Sequence, residues 1–151
     1  LQLLNGYTLQ TTATFDIAPH SAFMVVQGTS NKRAVYDFGG YQLYEINIWN
    51  TALIVPFING SFAFSSTART DSLTHLFGAI YDASNLNVYI DGAQDGSAAR
   101  TTTGTDSLRF GGRNSATIYI SEFILYPSDQ TSPTDNRTGI ESNINTFYDI
   151  Y

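Results

Sequence analysis

The chain has 151 residues, 42% of them hydrophobic and only 13% charged, with seven Lys and Arg against thirteen Asp and Glu. A domain of this length buries roughly 68 to 70% of the surface its unfolded chain exposes, so one domain spanning residues 1–151 is expected. The scattered cations Lys32, Arg33, Arg69, Arg100, Arg109, Arg113 and Arg137 argue against nucleic acid as a partner, because a polyanion needs clustered positive charge, and the absence of cysteine excludes disulfides, thiolate metal sites and a cysteine nucleophile.

No apolar run approaches the roughly 18 residues of a spanning helix, and no basic segment followed by an apolar one opens the chain. A soluble domain with no membrane partner is the expectation. The chain begins on Leu1, which fits a processed chain, an excised domain or the ordered part of a longer protein.

Short segments rich in Val, Ile, Thr, Tyr and Phe, separated by turn signals, predict strands. In chain order they lie near 11–18, 21–28, 34–38, 41–49, 53–58, 61–65, 74–82, 86–91, 93–100, 107–111 and 116–126, with loops at GTSNK, FGGY, NGS, DASN, DG and GGRNS. In YQLYEINIW, Tyr41, Leu43, Glu45, Asn47 and Trp49 share one face, and Gln42, Tyr44, Ile46 and Ile48 share the other, which reads as the buried one. Asp91-Gly92, between alternating segments, predicts a two-residue hairpin of type I′, whose central residues both need positive φ. That turn accounts for Gly92 without a metal, since the loop lacks the ligand spacing of a calcium-binding EF-hand. In ATIYISEFILYP the phase set by Ile118 and Ile120 breaks at Glu122, and Phe123 and Leu125 take the opposite phase. A bulge, or burial on both faces with something covering the far side, explains the break. After Tyr126 the period changes: Ile140, Ile144, Phe147 and Tyr148 fall at helical spacing behind Ser132, Pro133 and Asp135. These suit an N-cap, a first helical position and an N3 acceptor for a helix over 134–148, weakened by Gly139. The expected fold is all-β, a two-sheet antiparallel sandwich with one C-terminal α-helix, residues 126–151 forming a helical tail packed on the sandwich.

THLFGAIYDASNLNVYIDGAQDG, followed by SLRFGGRNSATIYISEFILYP, resembles the concanavalin A-like lectin/glucanase superfamily, in particular its laminin-G-like and pentraxin-like branch. The matching pieces are Ile80-Tyr81-Asp82, Val88-Tyr89-Ile90-Asp91-Gly92, Leu108-Arg109-Phe110-Gly111-Gly112 and Ile120 to Tyr126, an ordered set over 74–126. The tail NRTGIESNINTFYDIY is similar to the closing segment of such domains in bacteriophage structural proteins. The resemblance implies a jelly roll with a concave face that often binds glycans and sometimes a calcium ion at its rim. Only ten residues precede TATFDI, so a first edge strand is expected to be short or donated.

The glucanase pattern Glu-x-Asp-x-x-Glu does not occur. The glutamates are Glu45, Glu122 and Glu141, and a hydrolytic pair of Glu45 with Glu122 is the formal alternative to structural roles for both. His20 and His75 accompany no nucleophile elbow and have no zinc spacing. Sugar recognition needs aromatic platforms beside amides and carboxylates. Trp49, Tyr41, Glu45 and Asn47 offer that mixture, and Asn87 and Tyr89 join them if their strand is adjacent. For Trp49 the competing reading is a core or interface anchor. Asn59-Gly-Ser61 and Asn136-Arg-Thr138 are glycosylation sequons, informative only in a secretory eukaryote.

The function expected from the sequence is a non-catalytic, lectin-like domain of a virion or extracellular surface protein, acting in assembly or adhesion. A bacteriophage capsid decoration, fibre or tail component fits best. Its partners are other virion or surface proteins, a second copy of itself, or glycans bound weakly. No cofactor is indicated, and calcium has no motif. The alternatives are a carbohydrate-binding module of a secreted polysaccharide-active protein and a small glycoside hydrolase.

Overall fold

Two-residue alternation requires each strand to present one apolar side, and two such surfaces bury each other. The computed structural model describes residues 2–3, 8–28, 32–38, 44–49, 53–58, 61–62, 73–82, 84–99, 104–111 and 118–151. Within them lie β1 (Gln2–Leu3), β2 (Thr8–Asp16), β3 (His20–Gly28), β4 (Lys32–Phe38), β5 (Tyr44–Trp49), β6 (Leu53–Ile58), β7 (Ser61–Phe62), β8 (Thr74–Tyr81), β9 (Asn85–Ile90), β10 (Ala93–Ala99), β11 (Thr105–Gly111), β12 (Ile118–Tyr126) and α1 (Arg137–Tyr148). The first sheet has the order β1-β12-β3-β8-β9-β10 and the second β2-β11-β4-β5-β6-β7, with every neighbouring pair antiparallel. The all-β sandwich expected from the sequence is therefore the observed architecture. The further edge strand is β1, two residues paired to Ile118 and Tyr119. Positions 41–43, 63–65, 100 and 116–117 of the predicted strands lie outside the described residues.

Between the sheets, Ala22, Met24 and Val26 of β3, Phe77, Ala79 and Tyr81 of β8, and Leu86, Val88 and Ile90 of β9 meet Phe38 and Leu108 of the second sheet. Phe110 and Phe123 join the layers edge to face, their centroids 4.6 Å apart. His20 is buried at the start of β3, with Phe38 at 5.3 Å and Tyr81 at 6.0 Å between ring centroids, and its Nδ1 hydrogen-bonds the Ile17 carbonyl.

Both explanations offered for the broken phase of β12 hold. Ile120 pairs with Val26 and Glu122 with Val25, so Ser121 is the bulged residue. Phe123 and Leu125 then face the inter-sheet core, while Ile124 and Tyr126 face outward into a second apolar cluster. That cluster, built on Phe23, Val25, Leu76 and Ile80, is covered by Ile140, Ile144 and Tyr148 of α1 and by Ile150 of the tail.

The hairpin at Asp91-Gly92 has φ values of 51° and 79°, as a type I′ turn requires. The Asp91 carboxylate accepts the Leu76 N–H at 3.0 Å and faces His75 Nδ1 at 2.8 Å, which fastens the turn to β8.

The helix starts later than its spacing predicts. Ser132 is not the N-cap; the backbone N–H groups of Asn136 and Arg137 both donate to the Gln130 carbonyl, which holds 130–136 in a turn, and Asp135 accepts the Arg137 N–H at 3.0 Å. Asn136 takes the cap position without a side-chain cap bond, and no acidic residue occupies the first turn. Gly139 is exposed, with no atom within 4 Å of where a Cβ would stand. Gly139→Ala should therefore stabilise the protein by about 0.5–1 kcal/mol, read as a higher urea midpoint with unchanged slope. Among the described residues no helix is long and apolar enough to cross a membrane.

Candidate functional site

Strand alternation fixes which side of the second sheet is free. Phe38 and Leu108 are turned into the core, so Asp37 and Arg109, between apolar neighbours in "YDF" and "LRF", fall on the outer face. There Arg109 donates from Nε to Asp37 Oδ1 at 2.7 Å, and its Nη2 lies 2.6 Å from the same oxygen. Asp37 is 6% exposed, whereas the Arg109 side chain keeps 29% exposure and reaches solvent. Beside them, Gln10 donates from Nε2 to the Ser107 hydroxyl at 2.6 Å.

The register extends this face along one line across the sheet. Gln10 stands opposite Arg109, Arg109 opposite Asp37, Asp37 opposite Glu45, Glu45 opposite Phe57 and Phe57 opposite Phe62. Directly opposed residues of an antiparallel pair share a face, so polar positions on β2, β11, β4 and β5 give way to aromatic positions on β6 and β7. Positions 47 and 49 of β5, occupied by Asn47 and Trp49, share the face with Glu45 and are paired to Val55 and Leu53. Among the described residues, the helical layer covers only the first sheet.

The structure thus keeps three of the six sequence-predicted residues together: Glu45, Asn47 and Trp49 are on one strand and one face. Tyr41 lies outside the described residues. Asn87 and Tyr89 are corrected, because their strand β9 belongs to the first sheet and is not adjacent to β5. Asn87 accepts a hydrogen bond from Gln94 Nε2 at 3.4 Å, and the Tyr89 ring lies beneath the guanidinium of Arg137, 4.1 Å from its centroid to Cζ. Tyr89 is thus a support of α1. The formal pair of Glu45 and Glu122 separates in the same way. Glu122 is opposite Val25 on the helix-bearing side of the first sheet, and Glu45 is on the outer side of the second, with the whole core between them. The carboxylate facing Glu45 in register is Asp37.

Asp37 and Arg109 were missed because 72 residues separate them in the chain. Their signal was nonetheless present, as a charged residue flanked by two aromatic or aliphatic ones in each strand. Among the described residues no group of three or more metal-ligating side chains occurs.

No family model matches the chain, and no curated protein matches it in sequence. Solved structures do resemble it. The heptameric SAP-like pentraxin of Limulus polyphemus superposes with a TM-score of 0.68 at 9% identity, over 93% of this chain and 80% of that one. The carbohydrate-binding module CBM66 of Bacillus subtilis gives 0.56 at 12% identity, over 82% and 84%. An alginate lyase of polysaccharide lyase family 7 gives 0.58 at 10% identity, over 79% and 68%. With two antiparallel sheets in the order found here, these likenesses show that the chain folds as a concanavalin A-like jelly roll.

Proposed function

We propose that the protein is a non-catalytic, lectin-like module that binds glycans weakly on the outer face of its second sheet. The observation that carries this reading is the Asp37–Arg109 pair set on the same face as Glu45, Asn47 and Trp49. Sugars present alternating apolar C–H faces and hydroxyl edges, and sites for them combine flat aromatic surface with a few fixed polar groups. The line from Gln10 to Phe62 has that composition, and the partly exposed Arg109 side chain is held in one orientation by a buried carboxylate.

Retaining hydrolysis needs two carboxyl groups about 5 to 5.5 Å apart, one of them acting as the acid. Asp37 is already committed to Arg109, the geometry of an orienting pair and not of a proton donor. This supports binding without turnover.

The carrier is proposed to be a virion or other extracellular surface protein in which the module serves adhesion or assembly with neighbouring proteins or copies of itself. That setting is suggested by the sequence resemblance of the segment NRTGIESNINTFYDIY alone. The second reading, a carbohydrate-binding module of a secreted polysaccharide-active protein, is favoured by the similarity to CBM66, of which this chain covers 84%.

Affinity electrophoresis in gels containing neutral or acidic polysaccharides tests the binding claim. At least one polymer should retard the protein, and Trp49→Ala should weaken that retardation at least tenfold while leaving the fold intact. Reducing ends released by the native chain but not by Glu45→Gln or Glu122→Gln would replace the binding reading with hydrolysis.

A further inference from the structure

On the opposite side of the molecule, Glu141 of α1 is 3% exposed and faces the first sheet. Its Oε2 is ion-paired with Arg137, one helical turn earlier, and its Oε1 is buried with no hydrogen-bond partner. That oxygen borders the space left by Gly78 of β8: a Cβ placed at residue 78 would lie 3.3 Å from it, and itself 3.5 Å from Tyr89 Cβ and 3.6 Å from Phe23 Cδ1. Arg137, in turn, spans the ring of Tyr89 and the Gly92 carbonyl of the hairpin, the latter at 3.4 Å. The Tyr151 hydroxyl stands over Gly92, and Asn145 gathers the tail by accepting the N–H groups of Ile150 and Tyr151 and donating to the Tyr151 carbonyl.

We propose that α1 and its tail form a proton-sensitive clasp on the first sheet, docked more tightly when the Glu141 carboxyl is neutral and more loosely when it is charged. An ionised carboxylate with one oxygen against apolar carbon and backbone is a buried charge only half compensated. Neutralising it removes most of that cost while the second oxygen still receives Arg137.

The charged and titratable groups around it are few. Arg137 comes from the same helix, Asp135 and Asp129 from the preceding segment, Tyr89 from β9, Asp91 from the hairpin with His75 of β8 bound to it, and Tyr151 from the tail. Burial pushes the Glu141 carboxyl above the usual carboxylate range; Arg137 opposes this and Asp135 adds to it. The sign follows: the docked helix holds the proton more readily than the released one, so docking strengthens as pH falls from neutral through the raised value and stops changing below the ordinary value of 4.5. Release at higher pH uncovers Phe23, Val25, Leu76 and Ile80.

Amide hydrogen exchange of α1, referred to β3 in the same molecule, reads the clasp. At pH 7, Glu141→Gln should raise protection of residues 140–148 severalfold, and its protection relative to β3 should lose the pH dependence that the native chain shows between neutral pH and the ordinary carboxyl value of 4.5. Arg137→Met should lower helix protection by roughly a hundredfold or more, and Arg137→Met with Glu141→Gln should recover most of it, as expected when the orphaned charge is the cause. Loss of protection in Glu141→Gln, or no recovery in the double variant, overturns the proposal and makes the pair an ordinary stabilising salt bridge.

Discussion

Acidification from pH 6.5 to pH 4 should remove about 3 kcal/mol of stability through His20 alone. The imidazole is fully buried between Phe38 and Tyr81, and burial lowers its pKa from 6.5 to about 4, against the Ile17 carbonyl, which raises it. Above pH 6.5 the ring is neutral in both folded and unfolded chains and titration contributes nothing. Between the two values the unfolded chain takes up a proton that the folded one refuses, and stability falls by about 1.4 kcal/mol per pH unit. Below pH 4 both forms are charged and the loss is complete. Glu141, whose carboxyl is raised by burial, acts with the opposite sign, so the measurement is a difference. His20→Asn retains an amide donor for the Ile17 carbonyl and cannot titrate. Urea unfolding of both proteins at pH 7 and pH 4 should show a pH-dependent loss about 3 kcal/mol smaller in the variant. Equal losses in the two would remove His20 from the account.

Phe23→Ala should cost about 3–5 kcal/mol, the range for an aromatic side chain deleted from a packed interior. Phe23 has no exposed surface, packs edge to face with Tyr126 at 6.1 Å, and lies in the cluster that α1 covers. The cost is expected to exceed simple transfer because the helix has little to fall back on. It is 12 residues long, contains Gly139, and lacks a side-chain cap bond and an acidic first turn; isolated helices of that length are marginal in water. The variant should therefore lose helical circular dichroism before the sandwich unfolds, while the native chain loses both together. Phe147→Ala, on the exposed side of the same helix, should stay within about 0.5 kcal/mol of native.

Much of this architecture was legible because strands announce themselves locally. Alternation located the strands, Asp91-Gly92 fixed a hairpin whose chemistry admits few turn types, and the phase slip at Glu122 called for a bulge or burial on both faces, of which the structure has both. Alternation also put Glu45, Asn47 and Trp49 on one face. It cannot say which strands share a sheet, since pairing depends on contacts between distant segments. Asn87 and Tyr89 have the right phase and the right chemistry but the wrong sheet. The helix start moved for a related reason: Ser132, Pro133 and Asp135 suit a cap in isolation, but the Gln130 carbonyl captures the two N–H groups that follow and delays the first turn to Arg137. Arg137 and Glu141 stand one helical turn apart, but the burial of that pair depends on Gly78 of β8, 63 positions before Glu141 in the sequence.

The placement of the glycan face is tested most directly by two-dimensional amide NMR of the whole chain, titrated with soluble oligosaccharides drawn from the polymer that retards it. The expected shifts concentrate on β4, β5 and β11 around residues 37, 45–49 and 109, with β8, β9 and α1 unmoved and the oligosaccharide recovered intact. Shifts confined to the helix side, no response to any oligosaccharide, or cleavage during the titration would contradict the account.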